Sequence, residues 1–210
     1  MKLFVISPPK DKPDEPNMVT KMFESGLNTF HLRKPRASTG QMTEYIKEIP
    51  VHFHNRIVIH SHHQLALKFN LKGVHLTSTH IKKKWKYWFV RQRIKLKFGA
   101  LSKSRSYSRL QQVYDKEDYN FNYFLLGTIF NSLSHGFYNG FYQEGVVSAI
   151  KTAKKKFVAR GGTTPEVITK ANDLGFYGIA FNSFIWNAEQ PYINFMKVIK
   201  TFEENNIPIE

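Results

Sequence analysis

A strand-like run followed by a helix-like one, repeated along the chain, most limits what this sequence can become. β-rich segments are expected at Lys2–Ile6, Thr29–Leu32, Ile57–His60, Gly73–Leu76, Leu96–Leu101, Tyr123–Leu126, Phe157–Ala159 and Gly178–Phe181. Helical spacing separates them at Met18–Glu24, Thr39–Ile49, His62–Phe69, Ser108–Tyr114, Gly145–Lys154 and Thr164–Leu174, and Phe195–Glu203 follows the last strand. Gly26 suits the end of the first helix, and Pro165 the first turn of a later one. Repeated strand–helix units demand parallel strands covered by helices. Eight of them, counting a short or irregular helix in the basic stretch after Leu76, can close on themselves and leave no open edge. The expected fold is therefore α/β, a single-domain (β/α)8 TIM barrel over residues 1–210, with an open doubly wound sheet as the alternative.

Composition narrows the class. The 210 residues suit one domain, and an aromatic share of 15% is not that of a disordered chain. The absence of cysteine removes disulfides, thiolate catalysis and cysteine-type zinc sites. The apolar run at the start, Leu3 to Ile6, is too short for a signal peptide or a membrane span, so a cytoplasmic protein without membrane association is expected. A net charge of +15 favours anionic partners. Much of it lies in residues 82–97, where Lys82, Lys83, Lys84, Lys86, Arg91, Arg93, Lys95 and Lys97 alternate with Trp85, Tyr87, Trp88 and Phe89. Such interleaving can bind single-stranded nucleic acid. No nucleic-acid fold signature accompanies it, so phosphorylated small molecules are the expected partners and nucleic acid is not. A homodimer is the assembly left open.

In a barrel of this kind, chemistry sits where strands end. The second strand runs into His31-Leu32-Arg33-Lys34-Pro35, whose cations suit a pyrophosphate. The third runs into His60-Ser61-His62-His63, a source of proton transfer or of a polar contact. Ser106 follows the expected fifth strand, and Ser108 suits the N-cap of the next helix. The sixth strand leads into a long loop, Gly127–Gly140, carrying Ser132, Ser134 and His135 and long enough to act as a lid. Gly161 and Gly162 after the seventh strand, with Asn182 and Ser183 after the eighth, lie where this fold usually holds phosphate.

Several segments resemble the thiamine phosphate synthase superfamily, which includes the thiazole tautomerases. They are Phe30-His31-Leu32-Arg33-Lys34, Leu65-Ala66-Leu67 with Lys72-Gly73-Val74-His75-Leu76, and Tyr123-Phe124-Leu125-Leu126-Gly127-Thr128-Ile129-Phe130. Ala159-Arg160-Gly161-Gly162-Thr163 and Gly178-Ile179-Ala180-Phe181-Asn182-Ser183 complete the set, in order across nearly the whole chain. The resemblance implies joining of a hydroxymethylpyrimidine pyrophosphate to a thiazole phosphate, with release of pyrophosphate and with Mg²⁺ as cofactor. It implies catalytic or pyrophosphate-facing roles for Arg33, Lys34, His60, Ser106 and His135. It implies thiazole phosphate contacts from Gly161, Gly162, Asn182 and Ser183, beside which His31, Ser132 and Ser134 are expected to touch substrate from their own chemistry and place.

The sequence departs from the family pattern at telling places. The family has Arg-x-Lys after the second strand, where Arg33-Lys34-Pro35 brings the lysine one position closer. It has Asn-Asp after the third strand, where His60-Ser61 stand, and a further Asp after the fourth, where Thr77-Ser78-Thr79-His80 carry no carboxylate. Mg²⁺ wants oxygen ligands, usually a carboxylate, so no metal ligand is assigned. The tautomerase branch needs no metal and places a histidine where Thr128 stands, leaving His60, His62 or His135 as the acid or base. Three readings follow: a transferase of the synthase type, a metal-independent tautomerase, and a barrel that binds phosphate without turnover.

Overall fold

The computed structural model describes residues 1–77, 80, 101–117, 120–130 and 143–210. Eight strands close into a parallel barrel in chain order: β1 (Lys2–Ile6), β2 (Thr29–Leu32), β3 (Ile57–Ile59), β4 (Gly73–Leu76), β5 (Ser102–Tyr107), β6 (Tyr123–Leu126), β7 (Phe157–Arg160) and β8 (Gly178–Phe181). β1 closes the ring against β8, with Phe4 opposite Ala180. The helices among the described residues are α1 (Glu15–Glu24), α2 (Thr39–Glu48), α3 (Gln64–Lys68), α4 (Gln143–Ala153), α5 (Ile168–Asp173), α6 (Ser183–Trp186) and α7 (Pro191–Glu204). The barrel expected from the alternation is the one observed.

Alternate residues along each strand divide two cores. Leu3, Val5, Phe30, Leu32, Ile57, Ile59, Phe124, Leu126, Phe157 and Ala159 belong to the larger core shared with the helices. Phe4, Ile6, Tyr123, Leu125, Val158 and Ala180 form a separate small cluster. These six come from β1, β6, β7 and β8, so one side of the barrel interior is apolar.

One expected strand is corrected. The fifth was placed at the apolar run Leu96–Leu101, whereas β5 begins at Ser102. Residues 96–100 lie outside the described ones, and Leu101 is buried just before the strand. β5 reads Ser-Lys-Ser-Arg-Ser-Tyr, a period of two with small hydroxyls on one face. Apolar content concealed the strand, because its inward face meets histidines instead of leucines. Consequently Ser106 lies within β5, not after it.

Helix ends shift for local reasons. α1 starts at Glu15, three residues early, because Pro16 is tolerated in a first turn whose amides need no partner. Gly26 follows its end at φ +100°, the left-handed conformation that suits glycine after a helix. The segment after Thr164 opens as a 3₁₀ turn, Pro165–Val167, before α5. Among the described residues after β5 the helical element is a 3₁₀ turn, Leu110–Tyr114, and Ser108 is not its cap. There the Gln112 side chain accepts from the amides of Ser108 (2.9 Å) and Arg109 (3.0 Å). A 3₁₀ segment at Val51–Arg56 was not anticipated; it is held by His54, whose Nε2 donates to the carbonyls of Ile46 (3.0 Å) and Ile49 (2.9 Å). The basic stretch 82–97 lies outside the described residues.

Candidate functional site

All strands of a parallel barrel end on the same rim. The segments after β7, β8, β1 and β2 are neighbours there, because β8 pairs with both β7 and β1, and β1 with β2. Hydrogen bonds bind this arc together. The Arg33 amide donates to Ser7 Oγ at 2.7 Å, and that hydroxyl donates to the Arg33 carbonyl at 3.0 Å. Asn182 Nδ2 donates to the carbonyls of Ile6 (2.8 Å) and Ser7 (2.9 Å), and Trp186 Nε1 also donates to Ile6 (2.8 Å). The Asn182 amide nitrogen is thus occupied by the backbone after β1. Ser183 opens α6 directly behind it.

Gly161 and Gly162 both have positive φ, +87° and +67°. A Cβ at Gly161 would stand 2.9 Å from Thr128 Cα, so the loops after β6 and β7 interlock only with glycine there. The Ile129 and Phe130 amides donate to the carbonyls of Arg160 (3.0 Å) and Gly161 (3.1 Å), tying the two loops. Arg160 ends β7 on the same alternation as Val158, which faces inward. No carboxylate pairs with it among the described residues. Burial, and then the charge of Arg33, lower its pKa. Two guanidiniums that repel each other at one rim form a place suited to an anion.

Inside the barrel, the side formed by β2 to β5 is polar. His31 on β2 and His75 on β4 are almost wholly buried, and His60 follows β3 beside them. His31 Nδ1 and His60 Nε2 share a hydrogen bond of 2.9 Å, and His31 Nε2 shares one of 2.7 Å with the Tyr123 hydroxyl. His75 bonds Ser104 Oγ through Nδ1 (2.9 Å) and Ser106 Oγ through Nε2 (3.1 Å). The rings of His60 and His75 stack at 4.1 Å. Burial is the first cause that lowers the pKa of all three; His31 falls to about 3, and His60 and His75 lie well below 6.5. The imidazoles are therefore neutral at physiological pH. One ring nitrogen from each lies within 4.8 Å of the other two, a group of donors able to hold a metal.

The sequence-derived residues separate into four groups. Arg33, Gly161, Gly162, Asn182 and Ser183 meet on the rim, and His31, His60 and Ser106 meet within the barrel. Ser132, Ser134 and His135 lie outside the described residues. Lys34 turns elsewhere. It is 3% exposed, with Nζ 2.6 Å from Glu15 Oε2 and 3.3 Å from Asp11 Oδ1, and it donates to the Lys10 carbonyl. Its charge is occupied inside the protein. His75, Ser104, Tyr123 and Arg160 were missed as site residues, although strand parity was available to find them. His75 occupies the third place of its four-residue strand, as His31 does. Mg²⁺ does not fit the described donors: they are imidazoles and hydroxyls, where this ion demands oxygen, usually carboxylate.

The family model for thiamine monophosphate synthase matches residues 3–185. Among solved structures, the chain resembles thiamine phosphate pyrophosphorylase from Bacteroides thetaiotaomicron, at 25% identity and a TM-score of 0.77, over 97% of this chain and 98% of that one. The corresponding protein from Pyrococcus furiosus gives 23% identity and 0.75, over 97% and 96%. (S)-3-O-geranylgeranylglyceryl phosphate synthase from Thermoplasma acidophilum, in complex with sn-glycerol-1-phosphate, shares the fold at 12% identity and 0.65, over 97% and 93%. No curated protein sequence matches the chain.

Proposed function

The chain belongs to the thiamine monophosphate synthase family, and from that premise we propose that it joins a hydroxymethylpyrimidine pyrophosphate to a thiazole phosphate. In this reaction the bond from the pyrimidine methylene carbon to the pyrophosphate oxygen breaks, and the electron pair leaves with pyrophosphate. The thiazole nitrogen then donates its lone pair to that carbon. No proton need be moved for the balance.

The observation that carries this reading is the pairing of Arg33 with Arg160 beside the Gly161–Gly162 turn. Negative charge grows on the leaving pyrophosphate, and fixed cations that already repel each other gain most when it arrives. Arg33 is exposed and Arg160 half-buried. The backbone at Gly161 and Gly162, next to the start of α6, suits the phosphate of the thiazole. Ser7 and Asn182 fix the neighbouring loops and so hold the distance between the two anion positions. The substrates bring charge to the site, which agrees with the excess of +15.

Incubation of the folded protein with both substrates, without and with added divalent ions, tests the reading. Formation of thiamine phosphate and pyrophosphate in equal amounts is expected. Folded protein that binds thiazole phosphate yet yields neither product would exclude the synthase reaction.

A tautomerase reading has one observation in its favour. The neutral pair His31 and His60, linked to Tyr123, can pass a proton without a metal. It predicts isomerisation of a thiazole carboxylate phosphate in the presence of a chelator, lost in His60→Ala.

A further inference from the structure

Three histidines enter the barrel from consecutive strands, and their surroundings are arranged as ligand support. His31 comes from β2, His60 follows β3, and His75 lies on β4. The register sets Ile59 opposite Val74, which brings His60 beside His75, and their rings stack at 4.1 Å. One nitrogen of each lies within 4.8 Å of the others. Tetrahedral coordination with bonds near 2.0–2.1 Å needs nitrogens about 3.3 Å apart and the ion in each ring plane, so binding turns the His60 ring out of its stack on His75, where the planes lie 17° apart.

The outer nitrogens are also engaged. A ligating histidine usually gives its other N–H to an oxygen, which sets the tautomer. His31 Nε2 has the Tyr123 hydroxyl at 2.7 Å, which leaves Nδ1 as the donor facing His60. His75 Nδ1 has Ser104 Oγ at 2.9 Å, which leaves Nε2 facing Ser106.

We propose that His31, His60 and His75 form a binding site for one divalent transition-metal ion of the zinc and cobalt class. Imidazole donors suit such ions and do not suit Mg²⁺ or Ca²⁺. Three protein ligands leave a fourth position open to a water or an oxygen of a bound molecule. The site holds whatever reaction the chain performs, because metal binding is measured directly.

The test is to strip the full-length protein with a chelator, remove the chelator, and titrate with Co²⁺. One tightly held ion per chain is expected, with the visible ligand-field bands of a four-coordinate nitrogen-rich site. Zn²⁺ should displace it, and millimolar Mg²⁺ should not. His75→Asn and His60→Gln should each weaken Co²⁺ more than about 100-fold, and Ser104→Ala about 10-fold or more, while His62→Asn changes nothing. Wild-type folded protein that takes up no Co²⁺ would overturn the proposal. So would uptake unchanged in the variants, since other histidines would then hold the ion. Should the variants fail to fold, anomalous scattering from wild-type crystals soaked in Co²⁺ decides: a peak between the three rings supports the site, and peaks only elsewhere remove it.

Discussion

Lys34 Nζ lies 2.6 Å from Glu15 Oε2, and both side chains are at most 3% exposed. The lysine also donates to the Lys10 carbonyl, and the glutamate accepts from the Tyr45 hydroxyl at 2.8 Å. The charge of Lys34 is therefore used to join α1 to the segment after β2.

Removing one partner of such a pair leaves a buried charge without compensation. Lys34→Met should lower stability by roughly 3–5 kcal/mol. Glu15→Gln should cost less, because burial already holds the Glu15 carboxyl above its ordinary range and Lys34 keeps two other oxygens. The double variant should recover much of the loss. Denaturant unfolding measures all three. A Lys34→Met protein as stable as wild type but unable to bind pyrophosphate would show that the lysine serves substrate instead.

Arg160 carries a charge that no described carboxylate offsets, so its loss should separate stability from function. Arg160→Leu should raise the unfolding free energy slightly, by about 1 kcal/mol, since a poorly hydrated cation is removed. Inhibition by pyrophosphate should weaken roughly 10- to 100-fold, the range of one or two charged hydrogen bonds. Calorimetric titration with pyrophosphate checks the second part; unaltered affinity would remove Arg160 from the anion site.

Gly161→Ala places a methyl group 2.7 Å from Thr128 Cγ2 and 2.9 Å from Thr128 Cα, at a φ of +87°. A cost of roughly 1–3 kcal/mol is expected, together with displacement of the turn from its place beside Arg160. Binding of thiazole phosphate should fall by more than the stability change explains. Equal affinity in a folded Gly161→Ala protein would place the phosphate elsewhere.

At the opposite end of the barrel, Lys72 donates to the Asn28 carbonyl (2.9 Å) and Thr29 Oγ1 (2.6 Å). Burial, then the charges of Lys2 and Arg56, lower its pKa from 10.5 to about 8. Between those values the unfolded chain binds more protons than the folded one, so stability should rise with pH there. Below pH 8 the cost is constant. The buried phenols of Tyr45, Tyr107 and Tyr123, held above 10, act in the opposite sense at higher pH. Unfolding midpoints from pH 8 to just below 10 should therefore climb in wild type and stay flatter in Lys72→Met. Parallel curves for the two proteins would exclude the effect.

The architecture was largely legible because hydrophobic burial repeats with the period of its elements. Five strands, among them β2 and β4, lie where alternation and turns put them. β5 was not, because Ser102, Ser104 and Ser106 face a polar interior that hydropathy cannot anticipate. The rim segments around Arg33, Gly161 and Ser183 were found from their place after strands, since a parallel barrel brings all such places to one end.

The order of strands, the barrel and the meeting of the segments after each strand at one rim follow from the sequence alone, because each depends on local pattern and on one topological rule. The tertiary structure decided the direction of individual side chains. It turned Lys34 toward Glu15, set Arg160 at the mouth, and gathered His31, His60 and His75, which lie 15 or more residues apart. Such meetings depend on barrel closure and strand register, and a one-residue slip in register would send each ring to the other face.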